Sequence, residues 1–193
     1  YQDYYSEAVF NLKRFMNTYP SDERMVYANY LLAMCYYNTI ADEKKDLAPL
    51  INAKKEFEKI NLKYPNTDFA LDSKFKMGLI NDILASKEMY IGRHYIKKEK
   101  WIAAINRFKN ILSNYSTTIY TEEAIHRLVE IHYRIGLVEE SKKYASLLGY
   151  NYLSSEWYKK SYKIFNRKYD DPIKKINQKG EEGLIKKFKK IFN

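Results

Sequence analysis

The sequence is poor in residues that interrupt a helix: 193 residues include only 6 glycines and 4 prolines. It has one cysteine, Cys35, so an intrachain disulfide is excluded. No apolar run approaches the roughly 18 residues that a helix needs to span a bilayer. Because turn-forming residues are scarce and good helix formers are common, the sequence predicts an all-α chain with little strand.

Motifs of catalysis are also missing. The sequence contains no glycine-rich phosphate loop, paired-acid site or nucleophile elbow. His126 and His132 are six residues apart, whereas a helical zinc pair has a spacing of four. We interpret His132 as a neutral core residue and Cys35 as a small buried hydrophobe. We therefore expect no enzyme activity, no metal and no cofactor.

The formal net charge of +10 is concentrated at the C-terminal end. Residues 157–193 carry 12 Lys or Arg against 4 Asp or Glu, whereas residues 1–156 carry 22 against 20. Nucleic-acid binding would depend on this tail, which has no reading motif, and we expect no nucleic-acid partner. Residues 184–192 fit a short basic amphipathic helix on an anionic membrane, a segment that docks into a partner, or a disordered tail.

The most informative stretch is residues 88–116, which predict two amphipathic helices joined by a charged turn at residues 97–100. Two small residues, Gly92 and Ala104, occupy the positions where these helices must approach most closely. Large apolar side chains surround them: Ile91, Tyr95, Trp101, Phe108 and Ile111. Such a hairpin leaves a second apolar face that a neighbouring hairpin must cover. The pattern therefore predicts a helical-repeat protein.

Equivalent small residues recur on the second helix of each predicted hairpin, at Ala8, Ala53, Ala104 and Ser141. Their spacings of 45, 51 and 37 residues exceed the repeat of about 34 residues in a compact array of helix pairs. The excess falls in a polar connection at residues 40–50 and in residues 68–98. The latter predict either one long helix or two helices in line.

Local signals predict the helix boundaries and the extent of the domain. Prolines after Tyr19 and Tyr64 end two helices. Near the C-terminal end, Thr121 is expected to cap one helix, and Gly136 and Gly149 are expected to end two. We place a helical-repeat domain at residues 1–169 and a basic tail, weakly ordered or forming a short amphipathic helix, at residues 170–193.

Together the hairpins resemble a degenerate tetratricopeptide repeat. Their order, with an inserted loop, a long helix and the INRFKNIL hairpin at residues 105–112, is similar to the BamD family. These are lipoprotein subunits of the machinery that folds β-barrels into the outer membrane of Gram-negative bacteria. The resemblance covers residues 1–166 and implies a tetratricopeptide-like α-solenoid of stacked helical hairpins with one long central helix. It also implies a non-catalytic scaffold on the periplasmic face, with a lipidated cysteine and a first repeat upstream of Tyr1.

The same resemblance implies partners. Members of the family hold the barrel subunit BamA by its last periplasmic domain, and other accessory lipoproteins dock nearby. Their N-terminal repeats recognise the C-terminal strand of unfolded barrel proteins. Arg107, next to Asn106, matches the family position that contacts an acid on BamA, for which a planar guanidinium is well suited. Without the resemblance, Arg107 is interpreted as a solvated arginine on the back of a helix.

A second candidate surface lies on the strongly apolar segment that follows Pro20. Its stripe occupies positions that normally face the concave groove of such a superhelix: Tyr27, Tyr30, Met34 and Tyr37. Tyrosine offers an extended peptide both contact area and a hydroxyl group, so this stripe is our candidate for substrate binding. Alternatively, the preceding repeat covers it. For the chain as a whole, the alternative function is a generic tetratricopeptide adaptor in another compartment.

Overall fold

The computed structural model describes residues 2–39 and 47–166. These residues form eight α-helices and no strand, so the all-α prediction is confirmed. The predicted tail at residues 170–193 and the domain boundary at residue 169 lie outside the described residues, as do residues 40–46 of the polar connection. The helices are α1 (Gln2–Thr18), α2 (Met25–Asn38), α3 (Ala48–Lys63), α4 (Asp68–Lys97), α5 (Trp101–Asn114), α6 (Thr121–Arg134), α7 (Val138–Asn151) and α8 (Glu156–Phe165).

The helices pack as three successive hairpins. Helix α2 pairs with α3, α4 with α5, and α6 with α7. Helices α1, α3 and α5 also pack against the first helix of the hairpin that follows, and α8 packs against α6 and α7. This is the arrangement of a tetratricopeptide-like stack, so the repeat prediction is confirmed. Across residues 2–39 and 47–166, no helix combines the length and apolar composition of a membrane span.

The central helix α4 is continuous over 30 residues, which decides between the two possibilities for residues 68–98. It begins after Thr67, whose side-chain oxygen accepts a hydrogen bond from the backbone N–H of Ala70 at 3.2 Å. Its first half contributes Ala70 and Ile80 to a core shared with α2 and α3. Its second half contributes Ala85 and Met89 to a core shared with α5 and α6. One helix therefore links two cores.

Small side chains mark the contacts within the hairpins. Gly92 of α4 lies directly against the buried ring of Phe108 of α5, as expected from the sequence. Trp101 is partly buried against the same core. Ala8 is only partly buried, because α1 packs chiefly against α2. The other three predicted contact residues are fully buried: Ala53, Ala104 and Ser141.

The turn between α4 and α5 has the same geometry as the turn between α6 and α7. Glu99 and Gly136 hold equivalent positions, with positive φ angles of 55° and 84°. The backbone N–H of the next residue closes each helix by donating to a carbonyl oxygen five residues earlier, at 2.9 Å for Lys100 to Tyr95 and 2.8 Å for Leu137 to His132. Gly136 therefore ends its helix as predicted.

Two boundary predictions are wrong. Thr121 is the first residue of α6 rather than its cap, and its hydroxyl donates to the backbone oxygen of Ser116 at 3.0 Å. Gly149 lies inside α7, which continues to Asn151. A Cβ at Gly149 would be 2.6 Å from Cε2 of Tyr158. This glycine therefore allows α8 to approach α7 closely and does not end the helix.

Candidate functional site

Asn106 and Arg107 lie at the surface of α5, between residues that pack into the core. Ala104, Ile105 and Phe108 of the same helix are buried. Asn106 is exposed, and the Arg107 side chain is 40% exposed. The helical period therefore presents both candidate side chains to solvent from a helix whose opposite face is fixed by the core.

A shallow depression of about 420 Å³ lies between α4 and α5 and is lined by Glu88, Tyr95, Ala103, Asn106, Arg107 and Asn110. Across it, Nη1 of Arg107 donates to both carboxylate oxygens of Glu88 at 3.3 Å. Charge-assisted hydrogen bonds are usually shorter, about 2.7–2.9 Å. Among the described contacts, the pair uses Nη1 alone. Glu88 thus contacts the Arg107 guanidinium loosely, and the other donors of the guanidinium lie outside this pair.

The four residues of the predicted α2 stripe do not share one environment. Tyr27 is 49% exposed, and its ring centre lies 5.8 Å from that of Phe69. Tyr30, Met34 and Tyr37 are partly buried and pack against the core formed with α3 and α4. The expectation of an open groove is therefore corrected at these three positions, because α3 and α4 of the same stack cover them. Tyr27 is the exposed member of the stripe.

Tyr30 is held by a hydrogen bond that the sequence did not predict. Its hydroxyl donates to Oδ2 of Asp72 at 2.6 Å, and its ring centre lies 5.1 Å from Phe69 and 6.2 Å from Phe57. Burial, together with the Asp72 carboxylate, raises the pKa of Tyr30 to about 12. Asp72 is 42 residues away, so the two side chains meet only when α4 packs beside α2.

A charged network, also unexpected from the sequence, connects α4 to α6. Glu123 accepts hydrogen bonds from Nε of Arg93 at 3.0 Å and from Nη2 of Arg127 at 3.1 Å. Nη1 of Arg127 donates to Oε2 of Glu130 at 2.6 Å, and Nε2 of His126 lies 3.5 Å from Oε1 of Glu130. A signal was present for the α6 part, because its acids and arginine follow one another at helical spacings of four and three.

The Glu130 carboxyl group is held in its charged form. Burial alone would raise its pKa, but the hydrogen bond and charge of His126 and the ion pair with Arg127 lower the pKa to about 2 from 4.5. Nδ1 of His126 lies 2.8 Å from Oγ of Ser161, and the centre of the His126 ring lies 5.1 Å from the centre of the Trp157 ring. Both contacts are made with α8, so the network also joins α8 to α6.

A depression of about 550 Å³ adjoins this network. Arg127 and Glu130 contribute charged groups to its lining, and Trp101 and Ile164 contribute apolar surface. The guanidinium carbon of Arg134 lies 5.2 Å from the centre of the Trp101 ring, within the range of a cation–π contact. Trp101 therefore packs against the core and also borders this surface depression.

The other side chains considered from the sequence have packing roles. His132 is buried, and its Nδ1 lies 2.7 Å from the backbone oxygen of Leu128. Cys35 is partly buried, and burial raises the pKa of its thiol. In the part of the chain that the structure describes, no group of three or more His, Cys, Asp or Glu side chains is placed to hold a metal ion.

The chain is similar to proteins of the outer membrane. The family model YfiO, described as outer membrane lipoprotein, matches residues 1–148, a span that includes α1 to α6 and most of α7. Among individual proteins, the outer membrane protein assembly factor BamD of Rickettsia prowazekii (strain Madrid E) is 47% identical over 160 residues. That alignment covers 83% of this chain and 64% of the relative.

Two further relatives carry the same name. The protein of Caulobacter vibrioides is 41% identical over 162 residues, which cover 84% of this chain and 53% of the relative. The protein of Neisseria gonorrhoeae is 30% identical over 138 residues, which cover 66% of this chain and 51% of the relative. The chain thus spans between about half and two thirds of the length of these relatives.

Proposed function

The chain belongs to the YfiO family of outer membrane lipoproteins, and from this membership we propose that it is a non-enzymatic scaffold for the assembly of outer membrane proteins. The family match runs along the stacked hairpins, and relatives at 47% and 41% identity are named outer membrane protein assembly factor BamD. Stacked hairpins offer extended surfaces that bind other polypeptides. The proposal places the chain at the periplasmic face of the outer membrane, attached through a lipidated cysteine upstream, with other accessory lipoproteins as neighbours.

Our proposal of a specific partner rests on the loose ion pair between Arg107 and Glu88. The guanidinium is 40% exposed and has donors that Glu88 does not use. A carboxylate on a partner can accept hydrogen bonds from these donors, which fixes orientation as well as affinity. Asn106 and Asn110 line the same depression and offer side-chain amides beside the arginine. We assign this surface to the last periplasmic domain of BamA.

The test is a pull-down of that BamA domain with the Arg107→Glu variant. We expect the domain to be lost, because the new carboxylate repels both Glu88 and the partner's acid. Lys109→Glu is the matched control, because it makes the same charge change at an exposed position of the same helix. Helicity and melting temperature are measured for both variants. Equal recovery of BamA with Arg107→Glu and with the unmodified chain would remove Arg107 from the interface.

Tyr27, the exposed member of the α2 stripe, is our candidate for recognising unfolded barrel proteins. Tyr27 offers an exposed ring beside Phe69, and the partly buried residues next to it hold its helix against α3 and α4. A photo-crosslinking residue at position 27 should react with a peptide that ends in the C-terminal strand of a barrel protein. The same residue at position 150, where Tyr150 is more exposed but lies on α7, is the control. Equal labelling at both positions would exclude a specific site at Tyr27.

A further inference from the structure

One edge of the stack combines exposed aliphatic side chains with exposed lysines. We call it the turn edge and define it as residues 97–102, at the turn between α4 and α5, and residues 134–138, at the turn between α6 and α7. The two turns are neighbours, because Ile135 lines the same shallow depression of about 430 Å³ as Trp101 and Ile102. Their shared backbone geometry holds both sets of side chains at the tips of the two hairpins.

The aliphatic side chains of the turn edge face solvent. Ile102 is 68% exposed, Leu137 50% and Val138 36%. They lie at the beginning of α5 and of α7, where the buried residues are those that point into the hairpins, such as Ala104 and Ser141. Core packing does not account for apolar side chains at these tips. Large exposed apolar residues grouped in this way typically mark a contact surface.

The charge of the turn edge is positive. It carries four cations, Lys97, Lys98, Lys100 and Arg134, against a single carboxylate, that of Glu99. The three lysines are exposed, and none forms an ion pair with another residue of the described segments. The acids that follow are engaged elsewhere in pairs of their own, Glu139 with Lys142 and Glu140 with Lys143.

We propose that the turn edge binds the anionic surface of a lipid bilayer. Apolar side chains on protruding turns can enter the headgroup region, while the lysines around them stay at the level of the phosphates. Each lysine near an anionic surface contributes about 1 kcal/mol. A bilayer fits this edge better than an acidic polypeptide does, because the aliphatic groups protrude at turns. Lysine is also a flexible point charge, not the planar fork that suits a defined carboxylate.

This contact lies beyond the proposed scaffold role and is tested with lipid alone, so its failure says nothing about BamA binding. The full chain carries Cys35→Ala and one new cysteine bearing an environment-sensitive fluorophore. The cysteine replaces Ile102 or, as a control, Leu62, which is 82% exposed near the end of α3, at the opposite edge of the stack. The vesicles consist either of phosphatidylcholine alone or of phosphatidylcholine in which about a quarter of the lipid is replaced by phosphatidylglycerol. Some vesicles of each kind also contain a quencher attached to a lipid.

With anionic vesicles at low salt, the fluorophore at position 102 should shift to the blue and be quenched from within the lipid, while the one at position 62 stays aqueous. High salt and neutral vesicles should abolish the effect. Replacing Lys97, Lys98 and Lys100 together by Gln should weaken partitioning by about ten-fold or more. The matched control replaces three exposed lysines outside the edge by Gln: Lys55, Lys63 and Lys109.

Three results would overturn the proposal. The first is no association with anionic vesicles at low salt. The second is association during which the fluorophore at position 102 stays aqueous, which would assign lipid binding to another part of the chain. The third is an equal loss in the two triple-lysine variants, which would indicate a general charge effect. A chain that binds polyglutamate and not anionic vesicles gives the first result and identifies an acidic polypeptide as the partner.

Discussion

Gly92 of α4 lies against Phe108 of α5 so closely that a Cβ added to the glycine would be 2.6 Å from Cε1 of the ring and 2.7 Å from Cζ. The ring itself is fully buried. Protein cores are packed as densely as organic crystals, so the ring can move only by displacing its neighbours. The absence of a side chain at position 92 therefore sets the distance between the two helices of the central hairpin.

The first prediction is that Gly92→Ala destabilises the chain. The added methyl group forces the Phe108 ring or the α5 backbone to shift, and overpacking of this kind typically lowers stability by about 1–3 kcal/mol. Alanine otherwise has a higher helix propensity than glycine, so a loss of stability can be attributed to the contact with Phe108. Urea denaturation, followed by circular dichroism, gives the change in the free energy of unfolding.

Gly78 provides the matched control within the same helix. A Cβ there would meet nothing within 4 Å, so only helix propensity and chain entropy change. We expect Gly78→Ala to stabilise the chain by about 0.5–1 kcal/mol. If the two substitutions changed the free energy of unfolding in the same direction, the close contact between Gly92 and Phe108 would not be what limits residue 92.

The sequence was sufficient to predict the repeat and its small contact residues, because helical spacing reports which face of a single helix is buried. It predicted Gly92 and Ala104 at the closest approach of α4 and α5 and Gly136 at the end of α6. It could not predict the hydrogen bond from Tyr30 to Asp72 or the pairing of Arg107 with Glu88. Such contacts depend on how two helices are rotated against each other. For that reason, three residues of the α2 stripe, expected in a groove, lie against α3 and α4.

The second prediction concerns Glu99 in the turn between α4 and α5. Glu99 holds the same position there as Gly136 does in the turn between α6 and α7, and their φ angles are 55° and 84°, respectively. A left-handed conformation costs residues other than glycine about 1–2 kcal/mol. Glu99→Gly should therefore stabilise the chain, by less than that amount because glycine loses more backbone entropy on folding. Gly136→Ala should destabilise it. Thermal unfolding of both variants checks the signs; a lower melting temperature for Glu99→Gly would mean that the glutamate side chain stabilises the turn.

The third prediction is that the stability of the folded chain depends on pH through the ionisation of Glu130. The folded chain holds the pKa of Glu130 at about 2, below its ordinary value of 4.5. The ionised carboxylate therefore contributes stability above pH 4.5, and this contribution is lost as the pH falls toward 2. Glu130→Gln should lower the free energy of unfolding near neutral pH, and its difference from the unmodified chain should shrink below pH 4.5.

The control for that experiment is Glu139→Gln, which removes an exposed carboxylate near the beginning of α7 whose ion pair with Lys142 lies at the surface. Its effect should be small at every pH, because exposed ion pairs contribute about 0–1 kcal/mol. If the difference between Glu130→Gln and the unmodified chain stayed constant from neutral pH to pH 2.5, the network around His126 and Arg127 would not hold Glu130 in its charged form.

The last prediction is that Glu88→Gln strengthens binding of the BamA domain. Glu88 competes with a partner's carboxylate for the Arg107 guanidinium, and its 3.3 Å contacts are weak for a charge-assisted pair. Glutamine keeps the shape of the side chain and removes the competing charge, so the affinity measured by calorimetry should rise by about two- to five-fold for a gain of under 1 kcal/mol. In an Arg107→Ala background the same substitution should change nothing, because no guanidinium remains to be shared. If Glu88→Gln bound more weakly in the chain that keeps Arg107, Glu88 would position the arginine for its partner. The two residues would then act together rather than in competition.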